Sequence, residues 1–196
     1  YFAVLDTPVV NAFAAPGGYI YVTRGILALM NSEAELAAVL GHEMGHVAAR
    51  HSMKQLSGQM LAQIGLVVGS IVSKDIRKFA GLASIGMQLL FLKFSRSDEY
   101  QADSLGIRYA RQARYSPGEM LRFFTALENM SAESTSHRIP TFLSTHPMTG
   151  DRIARVKEMV SSQDVRLEVK KEPYLNQVDG MVFGENPRQG FVENGV

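Results

Sequence analysis

The spacing of apolar and polar positions changes period along the chain. Phe2 to Leu5, Val9 to Ala14 and Tyr19 to Val22 are short apolar runs, the last alternating with a period of two, and they predict three strands. Pro16-Gly17-Gly18 predicts a tight turn between the second and third. Thr23 to Met30 predicts a short helix, and Ser32 to His51 a longer one. Ser32 followed by Glu35 is a capping-box signature, and Ala34, Leu36, Ala37, Ala38, Val39 and Leu40 make the segment helix-prone and almost wholly apolar. Such a helix is expected to be buried on most sides. Gly41 and Gly45 interrupt it at about 1 kcal/mol each relative to alanine. Four apart, they share one stripe, which predicts a second helix crossing close to the backbone there.

Farther along, Met60 to Val72 and Phe79 to Phe94 are strongly apolar and flank a charged link, Ser73 to Lys78, which predicts a helical hairpin. A membrane-spanning helix needs about 20 apolar residues. Both runs are shorter, and Gln63, Ser70, Gln88 and several glycines interrupt them. Buried or groove-lining helices are therefore expected, with membrane spans the competing reading. Ser95 to Tyr115, Ser116 to about Met130 and Thr149 to Ser161 predict three more helices, and the Ser- and Thr-rich stretch from Ser131 to Thr145 predicts an irregular loop. Val165 to Val169 then reads as a strand, and Met181 to Phe183 with Phe191-Val192 as a hairpin. The pattern is α+β and mainly helical: a main domain over residues 1–161 and a β-like extension over 162–196.

With 196 residues, 46% hydrophobic and 20% charged, the chain can bury an ordinary core. A net charge of +1 and the lack of a basic run exclude the electrostatic footprint of a nucleic-acid binder. There is no cysteine, so disulfides and Cys-ligated zinc are excluded, and any zinc must use His and carboxylate. Tyr1 to Leu5 reads as the middle of a strand. The sequence is accordingly expected to begin inside a longer protein, where a targeting segment could precede it.

The long helix carries the candidate chemistry. His42-Glu43-Met44-Gly45-His46 is an H-E-x-x-H sequence. At about 3.6 residues per turn, positions four apart stack on one face, so His42 and His46 can chelate a single Zn²⁺. Glu43 is placed to act as general base toward water at the metal. A third ligand is available in Glu99, which opens an E-x-x-A-D sequence; Asp103, one turn on, can accept the spare ring N–H of a ligating histidine. Taken alone, these acids would suit an ordinary helix start. Two His and one Glu leave a tetrahedral position open, the pattern of catalytic zinc. His146, before Pro147 at the end of a loop, is the candidate second electrophile, or a fourth ligand that blocks the site. Arg152 is a candidate anchor behind the ligands. His51 and His137 are expected at the surface.

These residues together resemble the gluzincin metallopeptidases of the HtpX, BepA and CAAX prenyl-protease family. The resemblance runs from about Val4 to Val156. It rests on Asn11 to Ala14, Pro16 to Val22, the helix motif His42 to His46, Ser95-Arg96 through Glu99 to Asp103, and Ser144 to Pro147. The form Pro-Gly-Gly-Tyr-Ile-Tyr-Val is more similar to the soluble, periplasmic BepA-like branch. The resemblance implies an α+β, mainly helical zincin-like domain with a small N-terminal sheet and one Zn²⁺ per chain. It implies His42, His46 and Glu99 as ligands, Glu43 as base, Asp103 as support for a zinc histidine and His146 as a cap of a resting state. It also implies an edge strand at Asn11, Ala12 and Phe13 that pairs with substrate backbone.

The expected function is a zinc endopeptidase of the bacterial periplasm or envelope that hydrolyses unfolded or misassembled proteins. Peripheral membrane or envelope-protein association would go with it. The alternatives are a latent, protease-like chaperone or adaptor held shut by His146, and an intramembrane protease whose spans are the apolar hairpin.

Overall fold

One hydroxyl joins the sheet to the first helix. In this computed structural model, which describes residues 1–58, 93–133, 141–182 and 184–192, Thr23 ends the third strand and caps the helix that follows. Its Oγ1 accepts from the N–H of Asn11 (3.1 Å) and of Ile26 (3.3 Å) and donates to the carbonyl of Val9 (2.5 Å). The strands are β1 (Phe2–Leu5), β2 (Ala12–Ala15) and β3 (Tyr19–Thr23), in the order β1-β3-β2. β3 is parallel to β1 and antiparallel to β2. Gly17 and Gly18 take φ of 92° and 85° in the turn between β2 and β3, a conformation that glycine adopts at little cost. Ala12, Ala14, Ile20 and Val22 turn their side chains into the core.

Helix α1 (Arg24–Leu29) leads into α2 (Glu33–Ala48). Ser32 caps α2 as expected, accepting from the Glu35 N–H at 3.1 Å. The Glu35 carboxylate reaches one residue farther back than a capping box requires and accepts from Asn31 N–H at 2.9 Å. α3 (Arg96–Gln112) opens with a complete capping box between Ser95 and Asp98 and packs along α2. α4 (Glu119–Glu133), the short α5 (Thr141–Thr145) and α6 (Gly150–Met159) complete the domain around a core that includes Ile26, Met30, Ile107 and Phe123. The mainly helical α+β architecture matches the pattern of apolar positions.

Four expectations change. The helix expected to reach His51 stops at Ala48. Arg50 takes φ 57°, in the left-handed region, and a new helical segment runs over 51–58. The loop expected over Ser131 to Thr145 contains the end of α4 and all of α5, because Phe142 buries itself against Phe123 (centroids 5.6 Å apart). The strand expected over Val165 to Val169 is a 3₁₀ turn at Asp164–Arg166, followed by a single bridge from Glu168 to Tyr115. Arg111 holds the Asp164 carboxylate at 2.8 and 2.7 Å, which ties that segment into a turn. Finally, α7 (Lys171–Val178) forms where no element was expected, and Tyr174, Leu175 and Val178 join the common core. Val182 bridges to Phe191, in line with the predicted hairpin; Phe183 lies outside the described residues. The hairpin expected from Met60 to Phe94 also lies outside them, save Lys93 and Phe94. Among the described residues, no helix is long and apolar enough to cross a membrane.

Candidate metal centre

His42 and His46 stand one turn apart on α2 and turn their Nε2 atoms toward each other, 3.0 Å apart. Glu99, in the first turn of α3, meets both: Oε2 lies 3.4 Å from His42 Nε2, and Oε1 lies 3.5 Å from His46 Nε2. His146, just past α5, closes the group, with Nδ1 3.2 Å from His42 Nε2 and 3.0 Å from Glu99 Oε1. All four side chains are buried. Each offers one ligand atom, and these atoms lie within 4.8 Å of one another.

Helix α3 can deliver Glu99 there because the two helices touch at their glycines. A Cβ on Gly41 would stand 2.9 Å from the Gly106 carbonyl oxygen, which realises the close crossing predicted from the glycine stripe.

Asp103 and Arg152 build the layer behind. Asp103 Oδ1 accepts from His42 Nδ1 at 2.9 Å. Arg152, 1% exposed, donates to both Asp103 oxygens at 2.6 and 2.8 Å, and its Nη1 lies 2.6 Å from Glu99 Oε2. The same guanidinium reaches the carbonyl of Pro147 at 3.3 Å, which ties the His146 turn to the ligand layer.

His51, expected at the surface, is 1% exposed and belongs to this layer. Its Nδ1 lies 2.9 Å from His46 Nδ1, and its Nε2 lies 3.1 Å from Gln101 Oε1. On an unbroken helix, a residue five positions past His46 would point about 140° away from it. The left-handed Arg50 folds it back. An arginine carries no sign of that backbone state, so the sequence offered no signal. His137 lies outside the described residues.

Burial and charge oppose each other throughout. Burial pulls His42 down, but Glu99 and Asp103 overcome it and push the imidazole up to about 9. His46 lacks an anionic partner on its outer nitrogen, and burial holds it well below the ordinary histidine range. Burial pushes the Glu43 carboxyl up. For Glu99, burial works against the charge, yet His146 and His42 keep it well below the usual carboxylate range. Asp103 is lowered in the same way: burial opposes its charge and is outweighed by Arg152 and His42.

Several polar atoms in the cluster have no hydrogen bond. Both Glu43 oxygens, Glu99 Oε2 and His146 Nε2 are buried in this state; Arg152 sits beside Glu99 Oε2 but out of alignment for a bond. Buried polar groups are seldom left so unless an ion or a reaction uses them. Imidazole nitrogens and a carboxylate oxygen, with no sulfur, form a donor set that suits Zn²⁺. The residues fit the ion.

β2 lies at the sheet edge beside this centre. Thr23 N–H donates to the Asn11 carbonyl at 3.1 Å, so Asn11 and, two on, Phe13 turn their backbone groups toward β3. Ala12 and Ala14 turn theirs away from β3, to an outer edge that is covered here. The two residues are 0% and 4% exposed, Ser52 Oγ donates to the Ala14 carbonyl at 3.2 Å and Phe142 N–H to the Val10 carbonyl at 3.0 Å. A cleft of about 410 Å³ begins at the end of β2 and is lined by Ala15, Pro16, His46, Arg50 and Met53, among others.

A sequence profile described as peptidase family M48 matches residues 1–160. The chain belongs to peptidase family M48. Among relatives of this M48 chain is the mitochondrial metalloendopeptidase OMA1 of Schizosaccharomyces pombe, 33% identical over 168 residues, which are 84% of this chain and 48% of that protein. OMA1 of Arabidopsis thaliana is 30% identical over 170 residues, 86% of this chain and 33% of the relative. The beta-barrel assembly-enhancing protease of Escherichia coli K12 is 28% identical over 163 residues, 79% and 33% of the two chains. The M48 chain thus spans between about a third and about half of the length of these relatives.

Proposed function

We propose that this M48 chain is a zinc-dependent endopeptidase acting on extended segments of unfolded or misassembled proteins, and that it rests with His146 over its metal. The observation that carries the reading is the buried convergence of His42, His46 and Glu99 beside a Glu43 whose two oxygens have no hydrogen bond.

His42, His46 and Glu99 would hold the ion. Bound there, Zn²⁺ supplies Lewis acidity that polarises a scissile carbonyl and brings the pKa of water to about 7. The remaining work falls to the chain. Glu43 receives a proton on its carboxylate and can pass it to the leaving amine; burial, which raises its affinity for that proton, suits this task. Asp103 keeps His42 in the tautomer with Nε2 free, and Arg152 holds Asp103 and Glu99 in register. Substrate backbone would pair with the outer edge of β2 at Ala12, whose N–H and C=O point away from β3; Asn11 and Phe13 flank that position. Ala12 is 0% exposed here, so that edge must be uncovered before substrate pairs with it. Such pairing tolerates many side chains but requires an extended segment, which folded proteins rarely present. Relatives named for beta-barrel assembly in bacteria, together with the Pro16 to Val22 motif, support a place in the bacterial periplasm or envelope.

His146 decides between two readings. With His146 in the cluster the centre has four protein donors, the closed pattern of a structural site, and this favours a latent state that either opens for substrate or serves only as an adaptor. Zinc content and casein cleavage of wild type, Glu43→Gln and His146→Ala separate them. Glu43→Gln is expected to keep zinc and lose cleavage by about 100-fold or more. His146→Ala is expected to cleave faster than wild type. Full activity in Glu43→Gln overturns the mechanism, and loss of cleavage in His146→Ala makes His146 an oxyanion donor rather than a cap.

A further inference from the structure

We propose that His51 is a positioning residue of the metal centre, fixing the tautomer and ring plane of His46 as Asp103 does for His42. The inference rests on the metal reading above. It starts from an asymmetry between the two helix imidazoles. Both aim Nε2 into the cluster, so each must satisfy a buried Nδ1 on its far side. His42 meets an aspartate there, and His46 meets a second imidazole.

The hydrogen count along that line has one solution. A histidine that offers a lone pair at Nε2 carries its proton on Nδ1. His46 Nδ1–H therefore donates to His51 Nδ1 across 2.9 Å. His51 must then carry its own proton on Nε2, where Gln101 Oε1 accepts at 3.1 Å and Asp98 Oδ1 lies 3.4 Å away. Gln101 and Asp98 both belong to α3, and Asp98 is fastened by the Ser95 capping box. The chain of bonds thus runs from the metal-facing nitrogen of His46 to the same helix that supplies Glu99. His51 reaches this place only because Arg50 leaves the helix at φ 57°. Phe94 stacks on the His46 ring at 3.9 Å, so the ring is held by its face and by its far nitrogen.

The partners differ in charge. Asp103 is an anion and makes His42 a strong donor to a cation; His51 is a neutral acceptor and leaves His46 a weaker one. Its role is orientation more than basicity. Partners of this kind typically carry about 10–100-fold in metal affinity.

The test uses the full chain stripped of metal. Zn²⁺ affinity is measured against a chromophoric chelator, the Co²⁺ d–d absorption spectrum is recorded, and the melting midpoint in EDTA is taken for wild type, His51→Phe and His51→Gln. His51→Phe fills the space without an acceptor nitrogen; His51→Gln returns an amide oxygen that can accept. The expected result is a loss of about 10–100-fold in Zn²⁺ affinity and a displaced Co²⁺ band in His51→Phe, with most of both restored in His51→Gln. Affinity within about twofold of wild type in His51→Phe, or equal losses in the two variants, overturns the inference. Should His51→Phe fail to fold, Gln101→Leu removes the outer acceptor from an exposed position and is expected to weaken Zn²⁺ several-fold; unchanged affinity there overturns it as well. A wild-type chain that takes up neither cation overturns the metal centre itself, a result distinct from a wild type that binds and a His51 variant that binds equally.

Discussion

Gly45 and Ala102 meet backbone to backbone: a Cβ on Gly45 would stand 2.9 Å from both the Cα and the carbonyl oxygen of Ala102. The contact recurs one turn away, where a Cβ on Gly106 would lie 2.9 Å from the backbone nitrogen of His42. This approach brings Glu99 and Asp103, on either side of Ala102, within reach of the two imidazoles.

Gly45→Ala is therefore expected to destabilise the chain despite a gain of about 1 kcal/mol in helix propensity. Backbone atoms cannot rotate aside as a side chain can, and overpacking of this kind costs about 1–3 kcal/mol. The variant should also bind zinc more weakly, because α3 must withdraw and take Glu99 with it. Gly150→Ala, where a Cβ would meet nothing within 4 Å, is the control and should be neutral or stabilising. Denaturant midpoints with and without EDTA check both; an unchanged midpoint in Gly45→Ala contradicts the packing argument.

Arg152 is the next point of leverage. It faces the carboxylates of Asp103 and Glu99, all three side chains being 2% exposed or less. Removing one partner of a buried ion pair costs about 3–5 kcal/mol, because water does not replace the lost counter-ion. Here His42, pushed up to about 9, still faces both carboxylates in the metal-free chain and holds the loss toward the lower figure. Arg152→Met is expected to lose that much in EDTA and to recover part of it on zinc loading, since the cation takes over compensation of Glu99. Arg152→Lys keeps the charge but not the planar fork that spans both Asp103 oxygens, and should lie between the two. Chemical unfolding with EDTA and with saturating zinc measures these differences. Equal stability of Arg152→Met and wild type would mean that the clamp is idle.

How far these features were legible depended on whether their cause was local. H-E-x-x-H could be read because helix geometry alone turns His42 and His46 to one side. The glycine stripe could be read because Gly41 and Gly45 are costly inside a helix and demand a reason. Glu99 and Asp103 needed the resemblance or the motif beside them, since the same acids suit any helix start. His51 was not legible: its place depends on one residue, Arg50, in a conformation that arginine seldom adopts. α7 was missed because Tyr174, Leu175 and Val178 form an apolar stripe in a segment of only eight residues, too short for periodicity to separate from alternation. Short, polar segments held by tertiary contacts, as Phe142 holds α5, leave little trace in the order of their residues.

The elevated proton affinity of His42 yields a pH dependence of known sign. Its imidazole is pushed up to about 9 from the ordinary 6.5 in the metal-free chain. A histidine raised in this way contributes stability that is fully present below about 6.5 and is lost as the pH rises through about 9. Zinc requires the lone pair that this proton occupies, so the ion must expel it. Calorimetric titration of chelator-buffered zinc into the metal-free chain, in buffers of different ionisation enthalpy, should therefore show release of at least about one proton at pH 7. Affinity should climb by about tenfold per pH unit between pH 7 and 9 and then level off. In Asp103→Asn, one of the charges that raise His42 is gone, and the levelling should begin at lower pH. Zinc uptake at pH 7 without proton release would mean that His42 is already neutral there, and that Glu99 and Asp103 do not hold its proton in place.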